Sequence, residues 1–434
     1  MSLLLIKKEI KEVFKSKSTF FYFFILFATI VYSFYSAVDL YSKASIAAIG
    51  NPLYAAGFEP VPGVFVPTFG GLFIIFSLLA PFILIKLIGD EKKNNTILFI
   101  SQSPFSLKSI FLSKVAGGLF LIILSLISML PLLGFWNYLG GHLPRGELLL
   151  LFSGYLLYGF LIISISILSS VIFKTNAQAS IFALTLIILS WFLDFGKEMH
   201  IFSFLNKISE WTVTKQLKEF EEGILSIQAI FYFLLFSLIL LIISYIIFDF
   251  NIKKKTIIII IVFLVFAILF KINVSHQLKI DISESRKNSF KREEVLFLKK
   301  LPMIKIKVFL EPTDSRYKDY ESDFLKKLKM VKTDILVEFA KGEELRKNYG
   351  LFKYTLKDKS ETTYSNSSHE IFMILQNLSG IRIEKTSKEN PFKGYPLIVK
   401  KRWSEIMLIL YLIIFPLSIL IIQIKKPRRK KNEG

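Results

Sequence analysis

Eight apolar runs, at about 20–38, 69–88, 115–135, 148–172, 177–194, 228–248, 256–271 and 406–424, constrain this chain more than any other feature of its sequence. Each is near the length that about 30 Å of hydrocarbon demands of a helix rising about 1.5 Å per residue. The expected fold class is therefore an α-helical polytopic membrane protein with about eight transmembrane helices. Composition agrees: 53% apolar residues, 15% aromatics and a positive mean hydropathy over 434 residues are too greasy for a soluble protein.

Lysine and arginine fix the threading. Residues 1–18, the 86–114 loop, Lys174, Lys253–Lys255 and the tail Lys425–Lys431 all fall on one face, whereas the opposite loops 41–68 and 136–147 carry one cation each, Lys43 and Arg145. Positive charge marks the cytoplasmic face, so both termini are expected inside. The net charge of +21 has its use there, and no nucleic-acid partner is implied. The first run is full-length without a small-residue cleavage pattern after it, and reads as a retained helix. The 41–68 loop, rich in Pro and Gly, is expected to be irregular, and the 195–227 loop to hold a helix over Ser209–Glu222 with Trp211 at the interface.

Several chemistries are excluded. There is no cysteine, and His142, His200, His276 and His369 lie too far apart for a metalloprotease helix, so no metal is expected. No G-x-x-x-x-G-K-[ST] occurs, and neighbouring glutamates such as Glu293-Glu294 diverge by about 100° on a helix, so neither nucleotide hydrolysis nor an acid/base dyad belongs to this chain. No ionisable residue lies near the middle of a span. Lys86 and Asp194 sit at ends, which argues against ion-coupled transport and for energy supplied from elsewhere. Gly117, Gly118, Gly154, Gly159, Ser164, Ser166, Ser169, Ser170 and Thr185 read as helix-packing positions.

The connector Asp90–Lys114 is amphipathic where its neighbours are not. Thr96 is placed to cap a short turn carrying Ile97, Leu98, Phe99 and Ile100, and Ser103-Pro104 to start a second helix. At the N-terminus, Leu3, Ile6, Ile10, Val13 and Phe14 form one helical stripe and Lys7, Lys8, Lys11 and Lys15 lie largely elsewhere, as in a helix at a membrane interface with lysines facing anionic headgroups. Beyond the seventh span, the polar segment 273–403 is expected outside. It offers strands at Lys279–Ser283, Ile304–Leu310, Ile335–Phe339, Phe352–Leu356 and up to Tyr364, two intervening amphipathic helices, and a capping box Ser367-x-x-Glu370. That order implies an α/β layer with parallel crossovers.

On Glu91, Asn95, Thr96, Leu98, Ser103, Pro104, Phe105 and Lys114, the connector resembles the first cytoplasmic loop of ABC-2-type exporter permeases. Asn95 stands where that family usually has Gly, and Asn tolerates the left-handed turn best among other residues. The segment 273–403 resembles a shortened auxiliary domain of gliding-motility-type ABC transporters, on Asp281-Ile282-Ser283, Arg286, Ser289-Phe290, the Ile304–Leu310 strand, Tyr349-Gly350 and Asp358-Lys359-Ser360.

The resemblance implies an interfacial elbow helix over 1–18 and a six-helix permease domain over 19–250 with its coupling loop at 90–114. It further implies a seventh helix at 251–272, the auxiliary-like domain at 273–403, and an eighth helix with a basic tail at 404–434. It also implies a bacterial cytoplasmic membrane, a second permease subunit, and a separate ATPase that binds ATP and Mg²⁺, with no cofactor in this chain. Glu91 would anchor the ATPase, Asn95-Thr96 make the turn, Leu98 and Phe99 form the knob, and Pro104 start the return helix. Two other readings stand beside this one: a membrane-anchored protein whose outer domain binds an envelope partner, and an ATP-driven transmitter of force that moves no cargo.

Overall fold

The computed structural model describes residues 3–50, 59–96, 99, 102, 104–198, 211–249, 252–275, 278–284, 286, 288–383, 397–399 and 401–424. They belong to two compact units, a helical one over Met1–Ile282 with Pro391–Gly434 and an α/β one over Ser283–Asn390.

The helical unit opens with the amphipathic α1 (Leu3–Lys15), which turns at Ser16 into the long α2 (Lys17–Gly50). Thr19 closes that turn by donating its hydroxyl to Val13 O at 2.6 Å. A wide helical turn at Val61–Phe65 leads into α3 (Val66–Leu78), α4 (Ala80–Leu84) and α5 (Lys86–Lys93). The break after Leu78 precedes Pro81, which has no N–H to give to the ladder. After the connector come α6 (Leu107–Ile127) and α7 (Leu130–Tyr138), separated just before Pro131 for the same reason. Then follow α8 (Arg145–Ile172), α9 (Asn176–Glu198), α10 (Val213–Glu221), the short strand β1 (Ile224–Ser226), α11 (Ile227–Phe248), α12 (Lys255–Ser275) and β2 (Lys279–Asp281).

In the α/β unit, α13 (Arg292–Lys300) precedes β3 (Ile304–Val308), and α14 (Ser315–Tyr320) runs through a wide turn at Glu321–Leu325 into α15 (Lys326–Val331). Next come β4 (Ile335–Phe339), α16 (Gly342–Lys347), β5 (Phe352–Leu356), β6 (Lys359–Thr363) and α17 (Ser368–Ser379), which stops at Gly380 in the left-handed conformation, φ +71°. The chain returns to the helical unit through α18 (Lys401–Ile409), a wide turn at Leu410–Ile414 and α19 (Phe415–Ile424).

Among the described residues, eight helical stretches are long and apolar enough to cross a membrane, and each overlaps one of the eight expected runs. The first and third are longer than expected, at Lys17–Ala47 and Leu107–Tyr138. The 41–68 segment is correspondingly less irregular than its Pro and Gly content implies, since 41–50 continues α2 and Val61–Phe65 is helical; residues 51–58 lie outside the described residues. The Ser209–Glu222 helix begins later, at Val213, because the Thr212 hydroxyl accepts from Lys215 N and caps it there; Ser209 lies outside the described residues. Trp211 stacks edge-on against Phe270, ring centroids 4.7 Å apart, and so packs against the seventh span.

The fourth span is the centre of the bundle, with 67% of its most apolar window buried, against 6% for the seventh. Close approach to it needs small residues. A Cβ at Gly159 would stand 2.4 Å from Ile122, and one at Gly154 would stand 2.6 Å from Phe220. Ser164, Ser166 and Ser169 return their hydroxyls to carbonyls of their own helix, and only Ser170 reaches across, to Ile85 O at 2.9 Å. Thr185 is exposed and bonds Ile181 O of its own helix, so it is not a packing contact. The last span packs back on the first, Phe27 touching Tyr411 and Phe415 at 5.9 and 5.6 Å between ring centroids.

The α/β sheet has strand order β4-β3-β5-β6. Only β3 and β4 run parallel, joined through α14 and α15; β3–β5 and β5–β6 are antiparallel. Two sequence expectations are corrected. The strand near 279 is not part of this sheet but pairs with β1 of the helical unit, so the α/β unit begins at Ser283 and not at 273. The capping box at Ser367 is not formed, because the Glu370 carboxylate accepts from the Thr363 hydroxyl at 2.6 Å instead. The alternation expected from Ile304, Ile306 and Val308 does point one face inward, against Tyr320, Phe324 and Ile371, while Lys305 is exposed and Lys307 half-buried.

Candidate functional site at the connector

The connector begins on α5, where Asp90, Glu91 and Lys92 are consecutive. Successive residues on a helix point about 100° apart, so these three side chains leave α5 in three directions. Asp90 Oδ1 accepts from Asn176 Nδ2 at 2.7 Å, at the start of α9. Glu91 Oε1 accepts from Lys114 Nζ of α6 at 2.5 Å and from Lys8 Nζ of α1 at 2.8 Å. Lys92 Nζ donates to Ser170 O, Val171 O and Phe173 O at 2.9, 2.9 and 2.7 Å, which are carbonyls left unbonded where α8 ends. One turn of helix thus ties together α1, α6, α8 and α9.

The ion pairs at Glu91 are mostly buried. Lys114 also donates to Glu9 Oε1 at 2.8 Å, and Glu9 and Lys114 are each 1% exposed, Glu91 8%. A Cβ at Gly117 would stand 3.1 Å from Glu9 Cβ, so α1 lies directly on α6 at this point. Burial pushes the Glu9 carboxyl above the usual carboxylate range, against the pull of Lys114 and Lys8. Desolvation lowers the Lys8 ammonium, but its bond to Glu91 and the charges of Glu91, Glu9 and Glu12 outweigh that and hold it above its ordinary value. Carboxylate oxygens of Glu9, Glu12 and Glu91 come within 4.8 Å of one another, close enough to hold a cation. Lys8 and Lys114 already supply the positive charge, so the chemistry of this set is that of an ion-pair cluster.

Several sequence expectations change here. Glu91 is bonded within the chain, to Lys8 and Lys114. The buried stripe of α1 is Leu5, Glu9 and Val13; Leu3 is 81% exposed, and Ile6, Ile10 and Phe14 are half-buried. Lys7 and Lys11 remain exposed, whereas Lys8 turns inward to the cluster. The return helix does not start at Ser103-Pro104: its N-cap is Ser106, whose hydroxyl accepts from Ser109 N at 3.3 Å, and Ser103 lies outside the described residues. Thr96 donates its hydroxyl back to Glu91 O at 3.3 Å, and Thr96 and Phe99 are both helical, on either side of residues outside the described ones. Ile97, Leu98 and Ile100 lie outside the described residues. Phe99 is 72% exposed.

Asn95 has φ +54°, the left-handed turn expected of it. Asn95→Gly is therefore expected to leave stability nearly unchanged, and Asn95→Val to cost about 1–2 kcal/mol, since a branched Cβ collides with its own backbone there. Thermal unfolding of the two purified variants in detergent checks the ranking.

Sequence reasoning missed Glu9, Asp90, Lys92 and Asn176 as members of this site. Glu9 had a visible signal, standing four residues from both Leu5 and Val13 on the face that packs inward. Lys92 had none, because its acceptors are backbone carbonyls about eighty residues away. Comparison of the chain with known proteins finds no matching family model, no matching curated protein and no matching solved structure.

Proposed function

We propose that this chain is the membrane-spanning permease subunit of an ATP-driven exporter of the ABC-2 type, lying in a bacterial cytoplasmic membrane and paired with a second permease subunit. A separate cytoplasmic ATPase would bind ATP and Mg²⁺. The observation that supports this most is the single turn Asp90-Glu91-Lys92, bonded to four helices at once. A push on the exposed Phe99, a few residues along, is delivered through that turn to α6, α8 and α9, and to the N-terminal helix through Glu91. Such a joint suits a chain that receives mechanical work and has no nucleotide site of its own.

The test is to co-express the chain with its ATPase and measure association and ATP turnover. Leu98→Asp with Phe99→Asp is expected to weaken association by about 30-fold or more, as for loss of an interface hot spot, and to remove stimulation of turnover. Unchanged association and stimulation in that variant would refute the assignment. A scaffold reading is favoured by one observation, that Ser283–Asn390 is a compact unit with its own core, as a separately folded domain that binds an envelope protein would be. Affinity purification of the whole chain separates them: an ATPase with responsive turnover supports the permease, and an envelope protein without one supports the scaffold. Transmission of force without cargo shares the ATPase, and is told apart by whether any solute crosses reconstituted vesicles.

A further inference from the structure

A groove of about 480 Å³ opens on the side of the helical unit between α2, the α4–α5 run and the start of α9. Its walls repeat one pattern. On α2 it is lined by Ser18, then Phe21 and Ile25; on the α4–α5 run by Lys86, preceded by Phe82; on α9 by Asn176. Ser18, Lys86 and Asn176 therefore gather at one end, where α2, α5 and α9 begin, and the apolar side chains extend from there along the helices, beside Ser180, buried a turn further along α9, and Tyr22, whose hydroxyl is bonded to Ser125. From Lys86 back to Leu79, which also lines it, seven residues of helix span about 10 Å.

Lys86 is the distinctive group. Its ammonium has three protons, and among the described residues it donates to Ser18 Oγ at 2.6 Å. Among the described residues no carboxylate lies within ion-pair distance of it, unlike Lys8 and Lys114 in the neighbouring cluster. Phe21, Ile25 and Phe82 are 61%, 42% and 44% exposed, so the apolar part of the groove is open at the side and not filled by the chain itself. A cation with free donors at one end of an open apolar trough matches an amphipath with an anionic head.

We propose that this groove binds one anionic phospholipid of the inner leaflet, its phosphate held by Lys86 and Ser18 and the start of an acyl chain lying over Phe21, Phe82 and Ile25. Aqueous phosphate has no use for the apolar wall, and a zwitterionic lipid places a second cation against Lys86. The proposal rests on the membrane reading of the eight helices; resistance of the full chain to alkaline carbonate extraction reports that reading separately.

The full chain is reconstituted in phosphatidylcholine vesicles with and without one-fifth phosphatidylglycerol, re-extracted in mild detergent, and retained lipid is counted by native mass spectrometry. Phosphatidylglycerol is expected to be retained in preference to phosphatidylcholine, and soluble glycerol phosphate not to displace it. Lys86→Gln is expected to lower the preference about tenfold, the effect of one charge-assisted hydrogen bond, and Lys86→Arg to keep it. Ala177→Trp, at an exposed residue lining the groove, leaves the charge in place but obstructs the trough, and is expected to reduce retention as well. Lys299→Gln with Lys300→Gln, at exposed lysines of the α/β unit, is the control. Equal retention in Lys86→Gln and the parent, or a loss as large in the control, overturns the site.

Discussion

Replacing Lys114 by Met is expected to destabilise the helical unit by about 3–5 kcal/mol, the cost of leaving buried carboxylates without their cation. Lys114 is the group that Glu9 and Glu91 share, at 2.8 and 2.5 Å, and of the two lysines in the cluster it is the one at 1% exposure. Glu9 Oε2 and Glu91 Oε2 accept no hydrogen bond among the described residues, so without Lys114 only the half-buried Lys8, 2.8 Å from Glu91 and 3.5 Å from Glu9, is left to balance the two carboxylates there. Methionine fills a similar length, which confines the loss to charge and not to packing.

The same reasoning predicts a partial rescue. Lys114→Met with Glu9→Met removes one charge of each sign and leaves Glu91 with Lys8, so the double variant is expected to be more stable than Lys114→Met alone. Denaturant unfolding in detergent, followed by tryptophan fluorescence, measures both; a double variant that merely adds the two losses would show that the cluster does not act as a unit.

The pH dependence has a definite sign. The Glu9 carboxyl is raised in the folded chain by burial, so the folded state holds its proton over a range where the unfolded state has released it. That contribution is fully present below the ordinary carboxylate range and is lost as pH rises through the raised folded value. Without Lys114 the raised value moves higher still. The deficit of Lys114→Met is therefore expected to be largest near neutral pH and to shrink on acidification, and a deficit independent of pH would contradict an electrostatic origin.

The second large effect belongs to the α/β unit. Phe324→Ala is expected to cost about 3–5 kcal/mol, the usual loss for truncating a buried aromatic ring. Phe324 is fully buried and meets Phe290, Tyr320 and Phe372 at 5.5, 5.8 and 5.9 Å between ring centroids, so it joins the segment before α13, α14 and α17 across one face of the sheet. Because that core is separate from the one in the helical unit, limited proteolysis of the variant is expected to cut within 283–390 first and to leave the helical unit protected. Simultaneous loss of both units would mean that they fold as one.

Much of this was legible beforehand, and the parts that were not share a cause. The helical runs, the strands at Ile304, Ile335 and Phe352 and the left-handed Asn95 are local matters of period, length and backbone sterics, which one stretch of sequence carries whole. The helix start at Ser106 in place of Ser103 was a choice among three serines within six residues, Ser101, Ser103 and Ser106, each a good cap, and local rules do not rank them. The strand at Lys279 was found but given to the wrong sheet, because strand pairing is settled by neighbours and β1, only Ile224–Ser226, is too short to announce itself.

From the sequence alone come eight lipid-length helices, the α/β segment before the last of them, and the connector as the amphipathic interruption between the second and third. These follow from hydrocarbon thickness and side-chain period, which need no knowledge of what lies opposite. Only the tertiary structure decided that Asp90, Glu91 and Lys92 reach different helices, that Glu9 faces inward to Lys114, and that Lys86 lies in an open trough with no carboxylate of the described residues within ion-pair distance. Those are properties of pairs of residues far apart in the chain, and a side chain's charge says what it can bind but not which partner the fold will bring to it.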